Sequence, residues 1–221
     1  MRPVADERDV VQQVLLLCGV LAPLLHMATD QLAGRMLQGY SFAAQSMSEL
    51  SASGAPTRKL VVALTIAATV LTVAFSVGVW RAGGQALLPR IVAGLVIGNA
   101  VLGLIATAFF PTRFGERPAF GSAGVIIMFL SVVCFVLAMV FGAVAYGGWL
   151  RIVSIGIPVA YVLLTVLRLV TAASASTGRA GELMGIQERT MAYAFLFWVM
   201  ALAVHLLLSS RAVDSVGSIG G

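Results

Sequence analysis

Leu60-Val-Val-Ala-Leu-Thr-Ile-Ala-Ala-Thr-Val-Leu-Thr-Val-Ala-Phe-Ser-Val-Gly-Val-Trp80 is a run of 21 residues without a charged side chain, opened by Arg58-Lys59 and closed by Arg81. A bilayer core about 30 Å thick is crossed by about 20 helical residues rising 1.5 Å each, so the run has the length of one span. In lipid every backbone N–H and C=O must be bonded within the protein, which leaves only helices and closed barrels. The run lacks the period-two alternation of a barrel strand, so it reads as a transmembrane helix.

Outward from it, apolar runs at Val14–Ala28, Ile91–Phe110, Ser122–Tyr146, Ile152–Ala172 and Thr190–Leu208 repeat the pattern. The expected fold is an all-α, polytopic six-transmembrane-helix bundle, one domain over residues 1–208, with a flexible tail at 209–221. Composition agrees. The 221 residues are 60% hydrophobic and 10% charged with mean hydropathy +1.00, against about 45–50% and about 25% in soluble domains. That excludes a water-soluble enzyme, a disordered chain and a disulfide scaffold. Val14–Ala28 is short enough to resemble a signal-peptide core, but its flank mixes Arg2 and Arg8 with Asp6, Glu7 and Asp9, and no small-residue cleavage site follows. It reads as the first span.

Fourteen Lys+Arg against nine Asp+Glu give +5. Thirteen of the cations are Arg, set singly at the ends of apolar runs; this is the pattern of interface anchors and not of a nucleic-acid surface. Cys18 and Cys134 lie inside apolar runs, where neither a disulfide nor a four-ligand metal site is assembled. Six spans put both termini on one side. Six cations fall on that side and eight on the other, but the turns at Arg81–Arg90 and Tyr146–Arg151 are short and acid-free, while the opposite loops carry Glu49, Glu116, Glu182 and Glu188. The expected topology therefore has both termini in the cytoplasm of a plasma-membrane protein.

In the longest loop, 34–58, Phe42, Met47 and Leu50 interleave with hydroxyls, Ser41 stands as a cap, and Gly54 and Pro56 stop the element. A short interfacial helix across the outer mouth of the bundle is expected there. Polar residues inside spans are costly and mark where function is sought. In the first span Gly19, Pro23, His26 and Asp30 share a face, and Pro23 frees the carbonyl of Gly19. In the fifth, Ser154, Pro158, Tyr161, Thr165 and Arg168 repeat the arrangement. The alternation of spans brings His26, Asp30, Arg168, Glu188 and Arg189 to one membrane surface, with Ser48 and Glu49 in the loop beside them. Three roles are open for Arg168: snorkelling to the interface, an ion pair with Asp30 or Glu188, or contact with a ligand.

His205 lies sixteen residues beyond Arg189, about 24 Å of helix, so it cannot share a haem with His26 and reads as a packing residue. Thr65, Thr69, Thr72 and Ser76 share a face and are expected to bond back to their own helix. Gly94-x-x-x-Gly98 reads as close helix contact and Asn99 as a bond to a neighbouring helix.

Gly19-x-x-x-Pro23, Gly39-Tyr40-Ser41 with Gln45 and Ser48-Glu49-Leu50, Phe110-Pro111-Thr112, and Gln187-Glu188-Arg189 together resemble the six-span prokaryotic membrane family known as domain of unknown function 998. The resemblance covers most of the chain, and its motifs are short. It implies the six-span fold and no particular chemistry. The chain departs from the family pattern at Arg113, where an acid commonly follows Phe-Pro-Thr, and at Val125-Ile126, where a histidine often opens the fourth span.

The favoured function is the binding or transport of a lipid or other amphipathic molecule at the outer leaflet. His26, Asp30, Ser48, Glu49, Tyr161, Thr165, Arg168, Glu188 and Arg189 are its candidate contacts, the two arginines meeting an anionic headgroup. Two other readings stand beside it. One is an accessory subunit of a larger membrane complex, through a partner protein or a homo-oligomer. The other is an intramembrane hydrolase or transferase using His26 and Asp30, although no nucleophile-elbow glycines or phosphate loop accompany them. No cofactor, metal or nucleic-acid partner is expected.

Overall fold

The computed structural model describes residues 3–114, 122–174 and 184–217. Six helices follow in order: α1 (Pro3–Met36), α2 (Arg58–Ala82), α3 (Leu87–Phe109), α4 (Ser122–Ala145), α5 (Gly148–Ser174) and α6 (Met184–Gly217), with a five-residue 3₁₀ helix, Met47–Ser51, between α1 and α2. Among the described residues α1, α2, α3, α4 and α6 each contain a stretch long and apolar enough to cross a membrane, and α5 adds a shorter one over Gly148–Leu163. The helices outrun the apolar segments. At 34 residues, α1 and α6 are each about 51 Å long, against a hydrocarbon core of about 30 Å.

Residues 209–217, expected in a flexible tail, continue α6 as helix. Each residue added to a formed helix gains a backbone bond, and neither Gly nor Pro interrupts the segment before Gly217. The hydroxyls of Ser209 and Ser210 donate to the carbonyls of His205 and Leu207.

Sequential helices pack side by side, and α6 returns against α1, closing the ring. Small residues set the approach distances, as expected where lipid offers no hydrophobic force to drive helices together. A methyl group added at Gly19 would run into the ring of Phe75, and one at Gly142 into the indole of Trp198; both rings are fully buried. Gln12 of α1 donates to the Gly78 carbonyl of α2 at 2.8 Å. Trp198 Nε1 donates to Ser154 Oγ at 2.8 Å, joining α6 to α5. Asn99 reaches from α3 to both the carbonyl and the hydroxyl of Ser131 on α4, at 3.0 and 2.9 Å.

The two halves of the bundle differ. The core of Leu16, Phe75, Val79, Val92, Val96, Met139, Leu150, Trp198 and Leu202 fills the half nearest the α2–α3 and α4–α5 turns. There Arg90 closes the α2–α3 turn on the Gly84 carbonyl, Arg151 donates to the Ala143 carbonyl, and His205 packs edge-on against Tyr146 and Trp149. The other half, beneath the 37–57 loop, is hollow.

The loop itself differs from an amphipathic helix lying on the bundle. Ser41 caps a turn at Ala44, and the 3₁₀ helix starts only at Met47, because Glu49 turns back to accept from the Ser46 N–H at 3.1 Å. Leu50, Ser51 and Ala52 are buried. Leu50 packs with Ala33 of α1 and with Leu37 just beyond its end in a separate small core, so the element is set into the bundle.

Candidate functional site

The hollow half holds a cavity of about 720 Å³ to which all six helices contribute. Its walls are mostly apolar: Ala22, Pro23, Ala68, Leu102, Gly103, Leu104, Ile127, Val132, Met191 and Leu196, with Phe135, Phe195 and Val199 at the junction with the core. Its hydroxyls are largely satisfied internally. Thr69 and Thr72 donate to the carbonyls of Thr65 and Ala68, and Thr107 to that of Gly103.

Ser46, Met47, Ser48, Leu50 and Ser51 of the loop form the roof, with Phe110-Pro111-Thr112 beyond α3. Several bonds fix it. Ser53 N–H donates to the Thr112 carbonyl at 2.7 Å, and Phe114 N–H to the Ser53 carbonyl at 3.2 Å. Thr57 Oγ1 donates to the Leu50 carbonyl at 2.7 Å. The Arg58 guanidinium binds the Ser51 carbonyl and, at 2.9 Å, the Ala108 carbonyl at the end of α3. Glu188 Oε2 accepts from the Met47 N–H at 3.0 Å, joining α6 to the same element.

Beside the cavity stands one buried ion pair. Arg189 Nε and Nη2 each donate to Asp30 at 2.9 Å, a two-pronged contact whose side chains are 9% and 1% exposed. Nη2 also reaches Tyr40 Oη at 2.6 Å, and Nη1 serves the carbonyls of Phe42, Gln45 and Gly185 at 2.8, 3.0 and 3.3 Å. The guanidinium lies over the rings of Phe42 and Tyr40. Its planar fork suits this task, because all five N–H donors find acceptors in fixed directions. Tyr193, one turn beyond Arg189, donates to Asp30 Oδ2 at 2.5 Å and accepts from Gln31 Nε2 at 3.2 Å. Tyr40 Oη donates a hydrogen bond to the Ser46 carbonyl at 2.8 Å, and burial pushes the pKa of its hydroxyl up to about 12, against the opposing pull of Arg189. The chain from Asp30 through Arg189 and Tyr40 to Ser46 ties α1, α6 and the roof together.

The family described as "Protein of unknown function (DUF998)" matches residues 20–205, a span reaching from the middle of α1 to His205 of α6. This chain belongs to that family. No curated protein and no solved structure matches it. Of the residues on which the resemblance rested, Tyr40 and Gln45 meet Arg189, Ser48 and Glu188 line the cavity and the Thr112 carbonyl anchors the roof, while Gly19 packs against Phe75 in the core.

Of the residues expected to meet a ligand, His26, Asp30, Ser48, Tyr161 and Glu188 line the cavity of this DUF998 protein. Glu49 does not. Its carboxylate is spent on the Ser46 N–H and on Gln45 Nε2 at 2.7 Å. Arg189 is not a cavity-wall residue either; its donors are used within the protein, so the expected contact with an anionic headgroup gives way to an internal clamp. Asp30 finds its partner in Arg189; a pair with Asp30 was one of three roles open for Arg168, and the side chains of Thr165 and Arg168 lie outside the described residues.

The hydrolase arrangement is not assembled among the described residues. Both oxygens of Asp30 are engaged by Arg189 and Tyr193, and Ser48 Oγ lies 2.8 Å from Ser46 Oγ. No three His, Cys, Asp or Glu among the described residues group to hold a metal ion. Sequence reasoning missed Tyr193 and Thr112 as site residues. Tyr193 carried a signal, since it follows Arg189 by four residues and so shares its helix face.

Proposed function

We propose that this DUF998 protein binds, or helps to transport, a lipid or other amphipathic molecule at the outer leaflet, holding it in the cavity between the six helices. The observation that carries this reading is a cavity of about 720 Å³ with apolar walls and a polar roof. Small-molecule sites run to about 300–1,000 Å³ and are lined by apolar groups with a few polar ones that fix orientation. An amphiphile matches that division, its chain against Leu102, Ile127 and Leu196 and its head at His26, Ser48, Gln187 and Glu188.

Gly103 provides the test. It lines the cavity, and a Cβ built on it meets nothing within 4 Å, so the side chain of Gly103→Phe starts into open space and is expected to occupy the cavity. Native mass spectrometry of the purified wild-type protein should show a co-purifying amphiphile that Gly103→Phe lacks, with both proteins melting alike in detergent. An empty wild-type protein, or equal loading of the two, would overturn the proposal.

A further inference from the structure

Building on that reading, we infer that the cavity selects an amphiphile whose head carries a positive charge on a hydrogen-bond donor, an ammonium group, and disfavours a phosphate or carboxylate head. The charged groups of the polar end are carboxylates. Among the described residues lining the cavity, the ionisable side chains are His26, Asp30, Tyr161 and Glu188, and no lysine or arginine accompanies them. Asp30 is neutralised by Arg189, which stands outside the cavity wall with its donors engaged.

Glu188 is placed differently. Its carboxylate takes the backbone N–H groups of Met47 and Ser48 at the roof and feels the charge of Arg189 without an ion-pair contact to it among the described residues, and a carboxylate has about four lone-pair sites. Glu188 lines the cavity, so the acceptor capacity that remains lies within reach of a ligand there. A buried carboxylate without a directly bonded counter-charge is costly, and an ammonium ligand supplies both the charge and the N–H donors that relieve it.

A second observation falls at the same end. Thr112 is 4% exposed, lies on the cavity wall, and its Oγ1 has no hydrogen-bond partner among the described residues. Buried hydroxyls are normally bonded, so an orphan on a cavity wall marks where a ligand group completes the set. Together with Ser48 Oγ it adds neutral hydroxyls, able to accept as well as to donate, beside the Glu188 carboxylate.

The test uses three twelve-carbon amphiphiles that differ only in the head: dodecylamine as its ammonium salt, dodecanol and dodecanoate. Binding to the delipidated full chain is measured by calorimetry in a neutral detergent, with Gly103→Phe reporting whether each occupies the cavity. The expected order is amine tightest and dodecanoate weakest, at least tenfold apart, with Glu188→Gln bringing the amine to within about threefold of the alcohol.

Equal binding of all three, or tighter binding of dodecanoate, at a Gly103→Phe-sensitive site would overturn the headgroup inference and leave the cavity reading standing. No Gly103→Phe-sensitive binding by any of them would remove the cavity reading itself. Should Glu188→Gln fail to fold, the wild-type order of the three heads decides the matter, and Thr112→Val, which keeps the shape and deletes the hydroxyl, should weaken the amine several-fold.

Discussion

Arg189 and Asp30, 159 residues apart in the chain, meet through two parallel 2.9 Å hydrogen bonds at a place where both residues are under a tenth exposed. The pair fastens the start of α6 to the end of α1, and the remaining donors of Arg189 hold the roof over the cavity. Such a pair adds little when compared with a well-packed apolar replacement, but severing one side of it strands a buried charge.

Arg189→Ala is therefore expected to cost about 3–5 kcal/mol, the usual penalty for leaving one member of a buried pair alone. Arg189→Lys should recover only part of that, since an ammonium cannot reach Asp30, Tyr40 and the two roof carbonyls together. Adding Asp30→Asn to Arg189→Ala should restore some stability by removing the stranded charge. Unfolding in detergent reads all three. A melting temperature unmoved by Arg189→Ala would show that the pair does not hold the fold.

At the α1–α2 contact, Gly19→Ala should destabilise by about 1–3 kcal/mol, as overpacking does, because the added methyl meets the buried Phe75 ring. Combining it with Phe75→Leu, which withdraws the ring, should give a protein more stable than the sum of the two single losses. Additive losses would mean that the two positions do not share the contact.

Burial holds the hydroxyls of Tyr40 and of Tyr146, in the turn between α4 and α5, up to about 12, against about 10 in an unfolded chain. A group raised in the folded state contributes fully below its unfolded value and loses that contribution as pH climbs through the folded one, so stability should fall between about pH 10 and about pH 12. Phe at either position should flatten part of that fall. Tyr146 Oη is buried without a partner among the described residues, so Tyr146→Phe should also raise stability at pH 7 by about 1 kcal/mol. Alkaline melting curves of the two variants check both statements.

Reporter fusions after Arg151 and after Arg211 are expected on the cytoplasmic side and one after Arg117 on the other, placing the roofed cavity in the outer half of the membrane. The reasoning is the cation bias of the short acid-free turns, where Arg90 and Arg151 bind turn and helix-end carbonyls. The reverse result at all three sites would move the cavity to the cytoplasmic half.

The six helices were legible in the amino-acid sequence because a bilayer makes helix formation a local decision. About 20 apolar residues in a row have no other way to bond their backbone. Local rules also reach the bonds a helix makes with itself, such as Thr69 to the Thr65 carbonyl, and the tendency of Asn99 to reach across to a neighbour. Composition does not set how far each helix rotates about its own axis, and that rotation decides which side chains meet. Arg168 and Arg189 both end up near one membrane surface by counting spans, and Asp30 was within reach of either on that count. The choice of Arg189 follows from the packing of α6 against α1 and from the loop that brings Tyr40, Phe42 and Gln45 onto its guanidinium. The same holds for the cavity. Its wall residues are apolar like those of the core, and only the tertiary arrangement, dense around Phe75 and Trp198 and open around Gly103, made one half of the bundle solid and the other hollow.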